Sequence, residues 1–106
     1  MAAVSTIFLW RPRPGRLLDL IAAAAAGKKV HERLGGKVRA WNSQFGGEST
    51  TLGYVIEHAD WKRFGEFTAN LESDKEWQAL MAGWTSQRDP IADLLGSQVV
   101  VEAPLG

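Results

Sequence analysis

Residues 53–84 constrain the fold of this chain more than any other stretch, because the spacing of apolar side chains changes there only once. Up to His58 the residues alternate as in a strand, with Tyr54 and Ile56 on one face. Beyond Asp60, whose carboxylate suits a helix N-cap, the spacing becomes about 3.6 residues. We therefore predict a strand over residues 50–58 and a helix from about Trp61. Its predicted core residues are Phe64, Phe67 and Leu71.

A second helical segment is predicted directly after the first. Ser73 and Glu76 have the spacing of a capping box, which places a helix start at Ser73. The apolar residues that follow recur at i, i+3, i+4 and i+7, as on one helix face: Trp77, Leu80, Met81 and Trp84. We expect this stripe to pack in a core or in a subunit contact.

The first half of the chain supplies two strands and one helix. Residues 4–10 are apolar on both faces and precede prolines, as in a strand buried on both sides. A helix is predicted from an N-cap at Gly15 to a stop at Gly35-Gly36. Its predicted apolar face is Leu17, Leu18, Ile21, Ala22 and Ala25. Residues 37–45 alternate as a second strand, and Gly46-Gly47 is expected to form a hairpin turn.

A loop around Pro90 and a last strand over residues 98–103 complete the order strand, helix, strand, strand, helix, strand. This order predicts an α+β, ferredoxin-like βαββαβ fold for a single domain of residues 1–106. Both helical regions then cover one face of an antiparallel four-stranded sheet. Trp41, Phe45 and Tyr54 add more aromatic surface than two helices can cover, so we expect a homodimer through the open sheet face.

The composition bounds the functional classes. The 106 residues contain no cysteine, which excludes disulfides and thiolate metal sites and suits a cytoplasmic protein. The net charge is zero, but residues 1–46 carry eight basic and two acidic residues, a net charge of +6, which the remainder balances. Such halves favour mutual attraction within one domain over nucleic-acid binding. No window is long enough for a membrane span.

Four short motifs resemble those of the dimeric α/β-barrel superfamily, in particular its NIPSNAP-like and antibiotic-biosynthesis-monooxygenase-like members. They are Pro14-Gly15, Gly46-Gly47, Asp60-Trp61 and the run from Asp74 to Trp77. The resemblance spans nearly the whole chain. It implies a homodimeric barrel with a pocket in each subunit, and some relatives are oxygenases that need no cofactor.

His58 is the candidate catalytic base, because a neutral imidazole at the end of a strand can accept a proton near pH 7. His31, among cations near a helix end, is expected to be a solvated surface residue. The sequence has no phosphate-binding loop and only two histidines, so we expect neither a cofactor nor a metal.

Our leading hypothesis is a NIPSNAP-like homodimer that binds a small, largely apolar molecule between the sheet and the second helical region. The predicted ligand-binding residues are Trp41, Tyr54, His58, Phe64 and Trp77. One alternative is a cofactor-independent monooxygenase or isomerase that acts on an aromatic substrate with His58 as base. Another is a purely structural homodimer without a ligand, so the sequence leaves open whether the protein is an enzyme.

Overall fold

A computed structural model describes residues 3–43 and 50–105. The elements run in the order β1 (Val4–Pro12), α1 (Leu17–Arg33), β2 (Lys37–Asn42), β3 (Leu52–His58), α2 (Trp61–Ser73), α3 (Lys75–Thr85) and β4 (Ala92–Val101). The strands form one antiparallel sheet of four strands in the order β2-β3-β1-β4. The predicted ferredoxin-like βαββαβ arrangement is therefore confirmed.

The strand register assigns every side chain to one of two sheet faces. Val38 pairs with Ile56, and both belong to the buried cluster that includes Phe67 of α2, so this is the face that the helices cover. Residues one position away point to the opposite face. We call that opposite side the open sheet face; it comprises Ser5, Ile7, Leu9, Lys37, Arg39, Trp41, Gly53, Val55, Glu57, Gly96, Gln98 and Val100.

The helices do not cover the sheet evenly. Helix α1 contacts β2, and α2 contacts β3. On the helix side of β4, Leu94 is 47% exposed and Val99 is 48% exposed. Space therefore remains between the helices and the β1–β4 half of the sheet.

The buried face of α1 differs from the predicted one. Leu20, Gly27, Val30 and His31 are buried, whereas Leu18 is 79% exposed and Ile21 is also exposed. The first ten residues of the helix are apolar at every position except Asp19, so their hydrophobicity does not distinguish one face from another. The predicted N-cap at Gly15 is also wrong. The N-cap of α1 is Arg16, and no side chain caps the helix there.

The break between α2 and α3 occurs where the sequence predicts it, but a different residue begins the second segment. Asp74, not Ser73, is the N-cap of α3, and its carboxylate accepts a hydrogen bond from the backbone N–H of Trp77 at 2.9 Å. Asp74 and Glu76 also form ion pairs with Arg33 at the end of α1, at 2.8 and 3.1 Å. The basic half and the acidic half of the chain therefore meet at this junction.

Two strand boundaries differ from the sequence predictions. Strand β4 begins at Ala92 instead of residue 98, because pairing with β1 continues through a register shift beside Leu9 and Trp10. Strand β2 ends at Asn42. The predicted hairpin turn at Gly46-Gly47 and the predicted position of Phe45 lie outside the described residues.

Candidate ligand-binding cavity

A cavity of about 660 Å³ lies between the helix side of the sheet and the helices. This volume is within the range of small-molecule sites in proteins. Most of its lining side chains are aliphatic or aromatic. The sheet contributes Thr6, Phe8, Trp10, Leu52, Tyr54, Ile56, Leu94 and Val99, and the helices contribute Leu20, Ala23, Ala24, Gly27, His31, Phe64, Phe67, Leu71, Trp77, Met81 and Trp84, among others.

The break between the two C-terminal helices places aromatic groups on two sides of the cavity. Helix α2 contributes Phe64 and Phe67 to the cavity wall, and α3 contributes Trp77 and Trp84. The two indole rings pack edge to face, with centroids 5.8 Å apart. Three residues of the α3 stripe, Trp77, Met81 and Trp84, thus line the cavity, whereas Leu80 does not.

His31 and Tyr54 form a hydrogen-bonded pair within this apolar lining. Nδ1 of His31 lies 2.6 Å from the hydroxyl oxygen of Tyr54, and both residues are buried. Burial, with a smaller contribution from His58, lowers the pKa of His31 from 6.5 to about 4. Burial also raises the pKa of Tyr54, and the charge of Glu32 adds to this shift. Both side chains are therefore uncharged at neutral pH.

Gly27 on α1 leaves room beside this pair. A Cβ atom at this position would lie 3.7 Å from both His31 Cε1 and the Tyr54 hydroxyl oxygen. The same Cβ would lie 3.8 Å from the Trp77 ring. A side chain longer than that of alanine at position 27 would therefore meet three of the cavity's polar and aromatic groups.

His58, the predicted catalytic base, does not line the cavity. It is 3% exposed, and its ring packs against Phe67 and Phe64 with centroid separations of 4.5 and 5.4 Å. Nε2 of His58 is buried and has no hydrogen-bond partner among the described residues. Burial lowers the pKa of His58, so its imidazole is neutral at pH 7.

The structure brings together three of the five predicted ligand-binding residues at the cavity wall: Tyr54, Phe64 and Trp77. The prediction that Trp41 lies beside them is wrong. Trp41 pairs with Gly53 on the open sheet face, and its ring occupies the space that a side chain at position 53 would need. Its neighbour Ala40 pairs with Tyr54, so the alternation of the strand separates the two aromatic residues.

His31 is the cavity residue that the sequence prediction missed. We expected a solvated surface residue, because Lys28, Lys29 and Arg33 surround it in the sequence. It is instead 5% exposed, because it continues the buried face of α1. The spacing from Leu20 to Ala24, Gly27 and His31, at i, i+4, i+7 and i+11, is the signal that identifies this face.

Among the described residues, no group of three or more histidine, aspartate or glutamate side chains is placed to hold a metal ion. None of the helices within residues 3–43 and 50–105 has the length and hydropathy that a membrane crossing needs.

No protein-family model matches this sequence, and no curated protein sequence does either. Solved structures are nevertheless similar over nearly the whole chain. A NIPSNAP family protein of unknown function from Agrobacterium tumefaciens has a TM-score of 0.73 at 16% identity, over 98% of this chain and 91% of that protein. An uncharacterized NIPSNAP domain protein from Burkholderia xenovorans has a TM-score of 0.70 at 16% identity, over 95% and 93%.

A third structure, from Jannaschia sp. CCS1, is described as a dimeric ferredoxin-like protein of unknown function. Its TM-score is 0.58 at 15% identity, with 95% of this chain and 98% of that chain covered. At identities this low, the structural similarity shows a common fold and no more. The chain thus has the ferredoxin-like α/β fold that is seen in structures of NIPSNAP family proteins.

Proposed function

We propose that this chain is a NIPSNAP-like protein that forms a homodimer and binds a small, largely apolar molecule in the cavity between its sheet and helices. The observation that carries this proposal is the cavity itself, with about 660 Å³ of space and a mostly apolar lining. Apolar surface around an open space loses the contacts that would stabilise a packed core, and an apolar ligand restores them.

The open sheet face supports the homodimer. Ile7, Leu9, Val55 and Val100 share this face with the half-exposed ring of Trp41. Leu9 is 38% exposed and Trp41 is 49% exposed, and exposed apolar side chains grouped on one sheet face are typical of a protein–protein contact. The Jannaschia structure of the same fold is dimeric.

The geometry gives less support to the alternative of a cofactor-independent monooxygenase or isomerase with His58 as base. A general base must reach the proton that it removes, and His58 is enclosed by Phe64 and Phe67 away from the cavity wall. The alternative of a purely structural homodimer does not account for the cavity.

Adding bulk to the cavity wall tests the proposed ligand site. Ala23 lines the cavity, whereas its neighbour Ala22 is exposed on the same helix and does not line it. We expect naphthalene, used as an apolar probe, to raise the melting temperature of the wild-type protein and to quench its tryptophan emission. Ala23→Phe should weaken this binding at least tenfold, because the new ring occupies ligand space. Ala22→Phe should leave binding unchanged.

The two variants carry the same added volume on the same helix, so any general effect on α1 appears in both. Melting curves without the probe establish that each variant is folded. Equal weakening by the two substitutions, or no binding of naphthalene to the wild-type protein, would contradict the proposed site.

A further inference from the structure

The polar groups that line the cavity differ in whether they are free to bind a ligand. The hydroxyls of Thr68 and Thr85 donate to the backbone oxygens of Phe64 and Met81, one turn earlier in their own helices. The indole groups of Trp77 and Trp84 can only donate. Thr6 and Gln87 also line the cavity, but Thr6 is only half-buried and Gln87 is exposed to solvent. The hydroxyl of Tyr54 is buried and has further hydrogen-bonding capacity, although it is already paired with His31.

A tyrosine hydroxyl can donate one hydrogen bond and accept others. If the Tyr54 hydroxyl donates to Nδ1 of His31, its oxygen still accepts, and the imidazole carries its proton on Nε2. If Nδ1 of His31 donates instead, the Tyr54 hydrogen is available to a ligand. In either tautomer the pair can exchange a hydrogen bond with a ligand group that both donates and accepts, as a hydroxyl does.

The described residues of the cavity wall are uncharged in type. None of the described lining residues is an aspartate, glutamate, lysine or arginine. An ionised ligand group would therefore lose its water without gaining an opposite charge, which is costly in an apolar site. A neutral hydroxyl loses much less and regains a hydrogen bond from the pair.

We propose that the His31–Tyr54 pair makes the cavity selective for apolar molecules that carry one neutral hydroxyl group, namely phenols or alcohols, over carboxylates of the same size. This inference rests on the proposed ligand-binding function and adds to it the class of ligand. The site is located by the 2.6 Å contact between His31 and Tyr54, the buried position of both residues and the uncharged wall around them.

Three probes of one ring system test this selectivity: naphthalene, 2-naphthol and 2-naphthoate. Their affinities for the wild-type protein are measured at pH 7 by isothermal titration calorimetry. We expect 2-naphthol to bind roughly two- to tenfold more tightly than naphthalene, as one net hydrogen bond allows. We expect 2-naphthoate to bind more weakly than either neutral probe.

Replacement of the pair should remove the preference for the hydroxyl. Tyr54→Phe should bring the affinity for 2-naphthol down to that for naphthalene in the same variant. Because this change leaves His31 without its partner, the double variant His31→Phe with Tyr54→Phe provides a second, fully apolar version of the wall. The double variant should also lose the preference for 2-naphthol, and it provides the test if the single variant does not fold.

Thr6→Val is the matched control, because it removes another hydroxyl from the cavity lining at nearly constant volume. It should keep the preference for 2-naphthol. The inference is overturned if wild-type protein binds naphthalene and 2-naphthol equally, if it prefers 2-naphthoate, or if Thr6→Val and not Tyr54→Phe removes the preference. Failure of all three probes to bind would instead contradict the proposed function, and with it this inference.

Discussion

His31 and His58 both pack against the ring of Phe67, with centroid separations of 5.7 and 4.5 Å. Burial is the main reason that each has a lowered pKa, and the charge of one would also disfavour the charge of the other. Nδ1 of His31 is hydrogen-bonded to Tyr54, whereas Nε2 of His58 has no hydrogen-bond partner among the described residues. The two histidines therefore share one aromatic environment but differ in the chemistry that they can offer a ligand.

The neutral state of His31 makes stability depend on pH. Its pKa is about 4 in the folded protein and 6.5 in the unfolded chain, so between these values the unfolded chain binds more protons. The free energy of unfolding should therefore fall as the pH falls from 7 to 4. A difference of this size corresponds to roughly 3 kcal/mol once both states are protonated. Urea denaturation at a series of pH values measures it.

His31→Phe isolates this contribution, because His58 titrates in the same direction and remains in the variant. Tyr54, which faces His31 from β3, stays protonated throughout this range because its pKa is raised. A charged group near the pair is Glu32, which lies on the same helix as His31 and adds to the pKa shift of Tyr54. The stability of the variant should depend less steeply on pH than that of the wild-type protein. Identical slopes would show that His31 is not buried in its neutral form.

The errors in the predicted site arise at single residues. Trp41 and Tyr54 are both aromatic and lie on adjacent strands, but the pairing register of β2 with β3 places them on opposite faces of the sheet. The charged neighbours of His31 in the sequence predict a solvated residue, although its helical neighbours at i−4 and i−7 are Gly27 and Ala24. Three-dimensional neighbours, and not adjacent residues, determine both outcomes.

Helix α2 begins at the residue that the sequence predicts because its N-cap is set by local chemistry. The Asp60 carboxylate accepts a hydrogen bond from the backbone N–H of Arg63 at 2.8 Å. This bond satisfies one of the free amides of the first helical turn. The later start, at Asp74, was less predictable because Ser73 and Asp74 are both good capping residues, and the ion pairs with Arg33 add to the preference for Asp74.

Removal of the α2 cap should lower stability by a defined amount. Asp60→Ala should reduce the free energy of unfolding by about 1 kcal/mol, because the amide of Arg63 loses its acceptor. Asp60→Ser keeps an acceptor of similar reach and should restore most of the loss. Chemical denaturation of the three proteins measures the difference. An Asp60→Ala variant as stable as the wild-type protein would show that the cap contributes nothing to folding.

Gly65 lies within α2, where glycine is unfavourable because it has more conformational freedom to lose on folding. A Cβ atom at this position would have no heavy atom within 4 Å. We therefore expect Gly65→Ala to increase the free energy of unfolding by about 1 kcal/mol. Thermal or chemical denaturation measures the gain.

At Gly36 the same substitution should have the opposite effect on stability. A Cβ atom there would lie 2.6 Å from Ile56 Cγ2 and 3.2 Å from the backbone oxygen of His31. Gly36→Ala should therefore destabilise the protein, since the buried side chain and backbone around it must move. A loss of stability in Gly65→Ala, or a gain in Gly36→Ala, would contradict this account of the two positions.

On the scale of the whole molecule, the order and antiparallel pairing of the strands were predictable, because six segments of clear period leave few compact arrangements. The cavity was less predictable from the sequence. Sequence shows that α2 and α3 carry apolar stripes, but it does not show which strands the helices contact. The exposure of Leu94 and Val99 on the helix side of β4 depends on this tertiary packing and not on a local sequence pattern.

The last prediction is a homodimer that forms through the open sheet face. Ile7 lies near the middle of this face, paired with Val55 on one side and with Gln98 on the other. Stable dimers of this kind bury about 800 Å² on each partner, and a four-stranded sheet offers a surface of that order. Size exclusion with light scattering at micromolar concentration should give twice the chain mass of 11.6 kDa.

Ile7→Glu should abolish this dimer, because a buried glutamate would face its symmetry mate or the apolar residues around it without a partner. The product should be a monomer or an aggregated chain, since an apolar face that loses its partner is poorly soluble. Leu18→Glu makes the same kind of change at an exposed position on α1 and should leave the dimer intact. A wild-type protein that stays monomeric at high concentration, or an Ile7→Glu dimer as stable as that of Leu18→Glu, would show that the open sheet face is not the contact.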